Sequence, residues 1–439
     1  MSEIFQEPSG IPDGYKRIQL GPKSDVIPNE WEVESISDWL FSLETGSRPR
    51  TSERSDSDSV LSIGGAHISD GAFDLDEPVR ISEEYYEDLN SGKIEEGDIL
   101  LVKDGATIGK STYVNSIPED RAAVNSHVYI LRVEGETHDP RFLYNFIKAR
   151  IGLDQLLRLT TGTAQAGLNR TFQQAVKVPT PPLHEQRYIA DILSTVGDQI
   201  HYISAIIDKI SELKKGLMQD LFTEGLHKID KKETDSRYGK IPENWKLRKL
   251  KDIGEIAGRT APEKDQPECW GGDIPWATPS EITSLEGPTI EDTEEHLTEL
   301  ALEKVSSNLL PPGSILLTTR ATIGKCAVNK VKMTTNQGFK NLIPANNTDT
   351  WYVYYRLKYE RDYLASLSKG STFPEVGKDT VENFLIPVPQ LEEQKQIGEY
   401  LRSVDKVLDS YKSSKKKYQR LKRGLMQDLL TGKVRVNTD

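Results

Sequence analysis

Apolar side chains recur at steps of four and three in Ile189, Leu193, Val196, Ile200, Ile203, Ile207, Ile210, Leu213, Leu217 and Leu221. That spacing predicts one long helix over 183–222, with the narrow seam of a coiled coil in place of the broader stripe of a helix lying on a globular core. A second helix is predicted over 391–432, from Ile397, Leu401, Val404, Leu408, Tyr411, Tyr418, Leu421, Leu425 and Leu429. In it Lys415 stands where the first helix has Ile207. The stretches ahead of the helices have another texture. Short β-type runs such as Ile99–Val102 and Val128–Val133 alternate with turns marked by Gly and Pro, which predicts an α+β globule before each helix. Proline-rich segments at 179–182 and 387–390 close the globules, because proline excludes a continuing helix and sets an extended entry.

The chain is a tandem repeat. IPNEW at 27–31 returns as IPENW at 241–245, and EGDILLVKDGATIGK, ending at Lys110, returns as PGSILLTTRATIGK, ending at Lys325. KVPTPPLHEQRYIADIL returns as LIPVPQLEEQKQIGEYL, and KKGLMQDLF as KRGLMQDLL; from Gly162 onward the copies align at a constant offset. The globules match in patches and the helices closely. The organisation expected is an N-terminal arm 1–26, a first globule 27–182, a first spacer helix 183–222 and a polar linker 223–240. A second globule 241–390, a second spacer helix 391–432 and a tail 433–439 complete it. A helix with such a seam cannot bury it alone, and the other copy supplies the obvious mate. If the copies pack about a pseudo-two-fold axis, the helices run antiparallel with the globules at opposite ends, on a rod of roughly 55 Å. The fold class expected is therefore α+β: two pseudo-symmetric globules, each with a β-rich and an α+β part, separated by two long helices packed as an antiparallel coiled coil. An ordinary helical hairpin within one core is the alternative.

A length of 439 residues suits two or three domains, and 36% hydrophobic with 28% charged residues suits a folded chain. Two cysteines, Cys269 and Cys326, exclude a disulfide framework and a four-cysteine zinc site. No run approaches the roughly 18 apolar residues of a membrane span, and the first residues lack a signal-peptide profile, so the expected address is the cytoplasm. DGATIGKS at 104–111 approaches a phosphate-binding loop, but Gly105 and Gly109 stand one residue too close. The second copy has Arg320 and Cys326 at the critical places. Gly109 and Gly324 are expected to be turns after buried strands. With no ligand-spaced histidines, dinucleotide fingerprint or nucleophile elbow, no catalytic residue and no metal site is predicted.

Two related but divergent globules on a rigid spacer suit a ruler with two reading heads. Duplex DNA offers equivalent grooves about 34–36 Å apart to a pseudo-symmetric protein. Differing heads would read different bases around a gap, through Arg or Lys on guanine and Asn or Gln on adenine. The candidates in the first globule are Arg48, Arg50, Asn125, His127, Gln165, Asn169 and Arg170. Those in the second are Arg259, Thr260, Asn336, Gln337, Lys369, Ser371 and Thr372.

Over nearly the whole chain the pattern resembles the specificity subunit of Type I restriction–modification enzymes. The residues that carry the resemblance are IPNEW and IPENW, WGGDIPW at 270–276, GDILLVKDGATIGK, the P-x-P-x-x-E-Q run before each helix, and GLMQDL near the end of each. The resemblance implies that each globule is a target-recognition domain reading one half of a bipartite asymmetric site in double-stranded DNA. It implies a coiled coil that sets the gap and docks modification subunits, two per chain. It also implies that the chain is non-catalytic and holds no cofactor. Methylation of adenine with S-adenosylmethionine and cleavage with ATP and Mg²⁺ would belong to modification and restriction subunits. The first globule departs from the pattern at 46–59, where WGGDIPW has no counterpart, and the arm 1–26 has no assigned role.

Charge qualifies this picture. With 56 Lys+Arg against 68 Asp+Glu the formal charge is −12, whereas phosphate neutralisation favours Lys and Arg. Partner subunits are therefore expected to supply much of the clamp on the DNA backbone. A basic run, Lys415, Lys416, Lys417, Arg420, Lys422 and Arg423, suits DNA, acidic partner helices or a solvated face. Two other functions stay open at this level: a coiled-coil scaffold that binds only proteins, and an enzyme with an unrecognised site.

Overall fold

A computed structural model describes residues 11–20, 23–54, 59–69, 71–161, 167–258, 266–305, 309–370 and 374–436. It has two compact units, one made of Met1–Tyr202 with Ser414–Asp439 and the other of Ile203–Ser413. Two long helices, Leu183–Thr223 and Leu391–Leu429, each give residues to both units.

In the first unit, an antiparallel sheet runs in the order Ser111–Tyr113, Ile99–Val102, Val128–Val133, Leu40–Thr45. Ile99–Val102 is apolar without alternation because both of its faces are covered. Ile99 and Leu101 enter a core shared with the helices, while Leu100 and Val102 enter a second core. A three-stranded sheet, Ala122–Val124, Val60–Ile63 and Arg80–Ile81, closes that second core, its first two strands being parallel. The second unit repeats the device. Its five-stranded sheet runs Gly254–Ala257, Asn341–Pro344, Ile315–Leu317, Cys326–Asn329, Thr289–Ile290. Ile315 and Leu317 face one core there and Leu316 faces another.

Each globule is tied back to its own helix. Lys177–Thr180 pairs with Glu32–Ser35, and Leu385–Val388 with Lys246–Lys249, so the proline segments return beside the IPNEW and IPENW runs. The Trp31 indole N–H then donates to Glu185 at 3.0 Å, and that of Trp245 to Glu393 at 3.2 Å, all four residues being buried. The next residues, Gln186 and Gln394, each accept from a helix-capping backbone, Asp139 N and Asp349 N, at 2.9 Å. Their amides donate to Pro181 O and Pro389 O at 2.8 and 2.9 Å. The repeated E-Q pair is thus a hinge pin, satisfying polar groups that would otherwise be buried unpaired.

Inside each unit, the start of one long helix packs against the end of the other. In the first, Ile189 and Leu193 share a core with Met426, Leu429 and Leu430. In the second, Ile397 and Leu401 share one with Met218, Leu221 and Phe222. The order of contacts is antiparallel in both. Of the seam residues, Ile203 and Leu408 are also buried, while Val196, Ile200, Ile207, Ile210, Leu217, Val404, Tyr411, Tyr418 and Leu425 are half-buried. Two seam positions are corrected. Leu213 is 61% and Leu421 49% exposed. Strict alternation of four and three carried on from Ile189 reaches Lys214 after Ile210, and carried on from Ile397 reaches Lys422 after Tyr418, so the inward places belong to the lysines and not to Leu213 and Leu421. The Lys214 side chain is buried and pairs with Asp405 Oδ1, whose other oxygen accepts from Tyr355 OH at 2.6 Å. Burial draws the Lys214 ammonium down from its ordinary pKa, against the opposing pull of Asp405.

The N-terminal arm and the linker become counterparts. Tyr15–Leu20 pairs with Lys23–Pro28, and Lys231–Glu233 with Lys240–Pro242. Each hairpin leads directly into its repeat, and Tyr15 OH donates to Gly432 O at 2.9 Å. The segment expected to be a mere connector is built into the second globule by Arg237 and Tyr238, which bond Glu360 at 2.7 and 3.0 Å.

Candidate nucleic-acid interface

The DGATIGK and RATIGK runs are closed turns. Val102 N donates to Lys110 O and Gly109 N back to Val102 O, at 2.8 and 2.9 Å. In the second copy, Thr318 N donates to Lys325 O and Gly324 N to Thr318 O, both at 2.9 Å. Gly109 and Gly324 have φ of 85° and 80°, the left-handed region that glycine enters without steric cost. These amides are used up within the turn and do not cradle a phosphate.

Each turn holds two further loops through backbone bonds that recur in both units. Lys103 N donates to His127 O at 3.0 Å, and Thr319 N to Gly338 O at 2.7 Å. Leu168 N donates to Lys103 O at 2.6 Å, and Val376 N to Thr319 O at 3.0 Å. Asp104 forms a bridge with Gly167, and Arg320 one with Glu375. The result is one three-loop scaffold built twice: the turn after a buried strand, the NSH or NQG loop, and the segment before the last helical turn of the globule.

The side chains on that scaffold differ. In the first unit His127 Nδ1 meets Asp104 Oδ1 at 2.5 Å, with the imidazole 48% exposed. In the second, the Arg320 guanidinium, 51% exposed, bonds Glu375 at 2.8 Å, with Lys340 at 3.5 Å from the same carboxylate. Arg320 holds the Glu375 carboxyl below the usual carboxylate range. Lys369 is exposed and exchanges backbone bonds with Glu375.

The predicted residues distribute unevenly over this scaffold. His127, Asn169, Arg170 and Lys369 lie on or beside it. The Asn125 and Asn336 carbonyls accept from the backbone N–H two residues on, at His127 and Gly338, both at 2.8 Å, so they shape the loops. Gln337 is exposed between them. Arg170 donates to Leu43 O, and Asn169 is exposed. Arg48 and Arg50 are exposed on a separate loop that starts at Gly46, where an added Cβ would overlap Val124 O. That loop is tethered by Ser47 to Tyr85 OH at 2.6 Å. Gln165, Arg259, Thr260, Ser371 and Thr372 lie outside the described residues. Asp104, Arg320, Lys340 and Glu375 were not among the candidates. In the sequence Arg320 stands opposite Gly105 when the runs are matched from Lys110 and Lys325; the shared backbone bonds and bridges set it opposite Asp104.

The chain matches the Type I restriction modification DNA specificity domain twice, over residues 28–212 and 242–422. It belongs to this family. A specificity subunit of the type I restriction enzyme MjaIX, from Methanocaldococcus jannaschii, is 44% identical over 183 residues, which cover 41% of this chain and 42% of that one. The putative MjaX specificity subunit of the same organism is 28% identical over 97% of this chain and 98% of its own. Among solved structures, the S subunit of a Type-I restriction-modification system from M. genitalium superposes with a TM-score of 0.60 at 15% identity, covering 94% of this chain and 98% of that one. A chain of another type I R-M system gives 0.55 at 17%, over 93% and 99%. The two specificity domains each contain one copy of the three-loop scaffold. A coiled-coil scaffold without DNA specificity is not supported by these relationships. Among the described residues no helix is long and apolar enough to cross a membrane.

Proposed function

We propose that the three-loop scaffolds are the reading heads, each addressing one half of a split, asymmetric site in double-stranded DNA. The single observation that carries this is identical backbone bonding around unlike side chains: Asp104 and His127 in one unit, Arg320, Lys340 and Glu375 in the other. A shared frame presents the loops and the substituted charges select the bases. An exposed guanidinium oriented by a carboxylate suits bidentate bonding to guanine O6 and N7; an Asp104 carboxylate suits the cytosine amino group. The paired helices set the number of unread base pairs, and the chain assembles with two modification subunits, and with restriction subunits, while remaining non-catalytic itself. S-adenosylmethionine, ATP and Mg²⁺ chemistry would lie on those partners.

Arg320→Ala in the assembled complex tests the assignment. Expected is a cost of about 1–3 kcal/mol in binding and relaxed selectivity at one position of one half-site, read from the methylation pattern of modified DNA. An unchanged pattern at both halves would remove Arg320 and its scaffold from the reading role.

A further inference from the structure

In the second unit, the loop between Lys231–Glu233 and Lys240–Pro242 plugs a hollow in the globule. The Arg237 guanidinium lies 3.7 Å from the Tyr363 ring centre and 4.9 Å from that of Phe384, and bonds Glu360 at 2.7 Å. Tyr238 OH donates to the same carboxylate at 3.0 Å. In the first unit, the counterpart hairpin stays paired as far as Leu20 and Lys23.

The counterpart hollow is a cavity of about 760 Å³. The location follows from the repeat, since KARIGL at 148–153 aligns with KYERDY at 358–363. Arg150 and Leu153, which line the cavity, therefore stand where Glu360 and Tyr363 hold the plug. The charge at the anchoring position is reversed. Five cations line the cavity: Lys148, Arg150, Arg158, Arg423 and Lys433. Its carboxylates are Asp25, 3.5 Å from Lys433, and Asp154, 3.6 Å from Arg150. Arg158 and Arg423 form no ion pair among the described residues. A concave site with this excess of positive charge attracts an anionic occupant.

We propose that this cavity is a docking pocket for an acidic polypeptide segment of a partner subunit, a proposal that rests on the assembly reading above. A polypeptide fits better than a DNA strand on two grounds. The counterpart hollow is filled by polypeptide side chains, and Leu20, Leu153 and Met426 supply apolar wall that a phosphate backbone does not use. No residue of the three-loop scaffolds lines the cavity. In the second unit the corresponding place is taken by Arg237, so the pocket would bind one segment per chain.

A benzophenone amino acid placed at Gln427, in the full chain assembled with its partners, locates the occupant by mass spectrometry. The expected product joins Gln427 to a partner segment with several Asp or Glu residues. Crosslinks to DNA, or to the chain's own first ten residues, would overturn the proposal. In parallel, Arg150→Glu with Arg158→Glu should weaken partner binding at least tenfold, and the Lys pair of substitutions should restore most of it. The half-site sequence selected at saturating partner should not change. Normal partner affinity in the Glu double variant would sink the pocket alone; a wild-type chain that captures no partner would sink the assembly reading with it.

Discussion

Glu185 and Glu393 stand in the first turns of the long helices, where a carboxylate favours the helix dipole, and each receives an indole N–H from the start of its own repeat. Glu185 also binds Arg435 at 2.8 Å. Glu185→Ala leaves the Trp31 N–H buried without an acceptor, so a loss of about 1–3 kcal/mol in urea unfolding is expected. Trp31→Phe with Glu185→Ala should recover part of it. Glu375 makes a pH prediction. Its folded pKa is lowered below 4.5, first by the hydrogen bond from Arg320. The stability it contributes is complete above its unfolded value and is lost as pH falls through the folded one. Glu375→Gln should therefore flatten the acid limb of the stability profile below about pH 4.5, and it should loosen the orientation of Arg320.

At the level of the helices, the two copies of the seam differ in one polar layer. In the second unit Lys214 pairs with Asp405, and Tyr355 closes the layer. In the first unit the corresponding residues are Lys422 and Gly197, and a Cβ added at Gly197 would lie 2.8 Å from Lys422 Nζ. Removing one partner of a buried ion pair strands the other. Asp405→Ala should cost about 3–5 kcal/mol, while Lys214→Met with Asp405→Leu should come close to neutral, as measured by chemical denaturation. The pattern of apolar residues places Leu213 in the seam because a charge reads as surface. The helix keeps the strict four-three alternation, which carries position 214 inward, and Asp405 is there to receive the lysine.

For the molecule as a whole, the −12 charge predicts a division of labour. The isolated chain should bind DNA weakly and with little selectivity, with a shallow salt dependence. Adding modification subunits should bring tight, selective binding and a steeper slope, as phosphate contacts release more counterions. Gel-shift titrations at several salt concentrations read both, and equal affinity and selectivity in the two states would reject the division. The duplication, the α+β class, both long helices and the turn role of Gly109 and Gly324 follow from sequence alone, because they depend on local conformation and on a comparison of the chain with itself. The E-Q pins, the shared three-loop frame and the pairing of the buried Lys214 with Asp405 did not follow. Each is a meeting of residues far apart in the chain, such as the 154 positions between Trp31 and Glu185. A periodic pattern records which face is apolar. Which polar group stands opposite another is decided only when the strands and helices have packed.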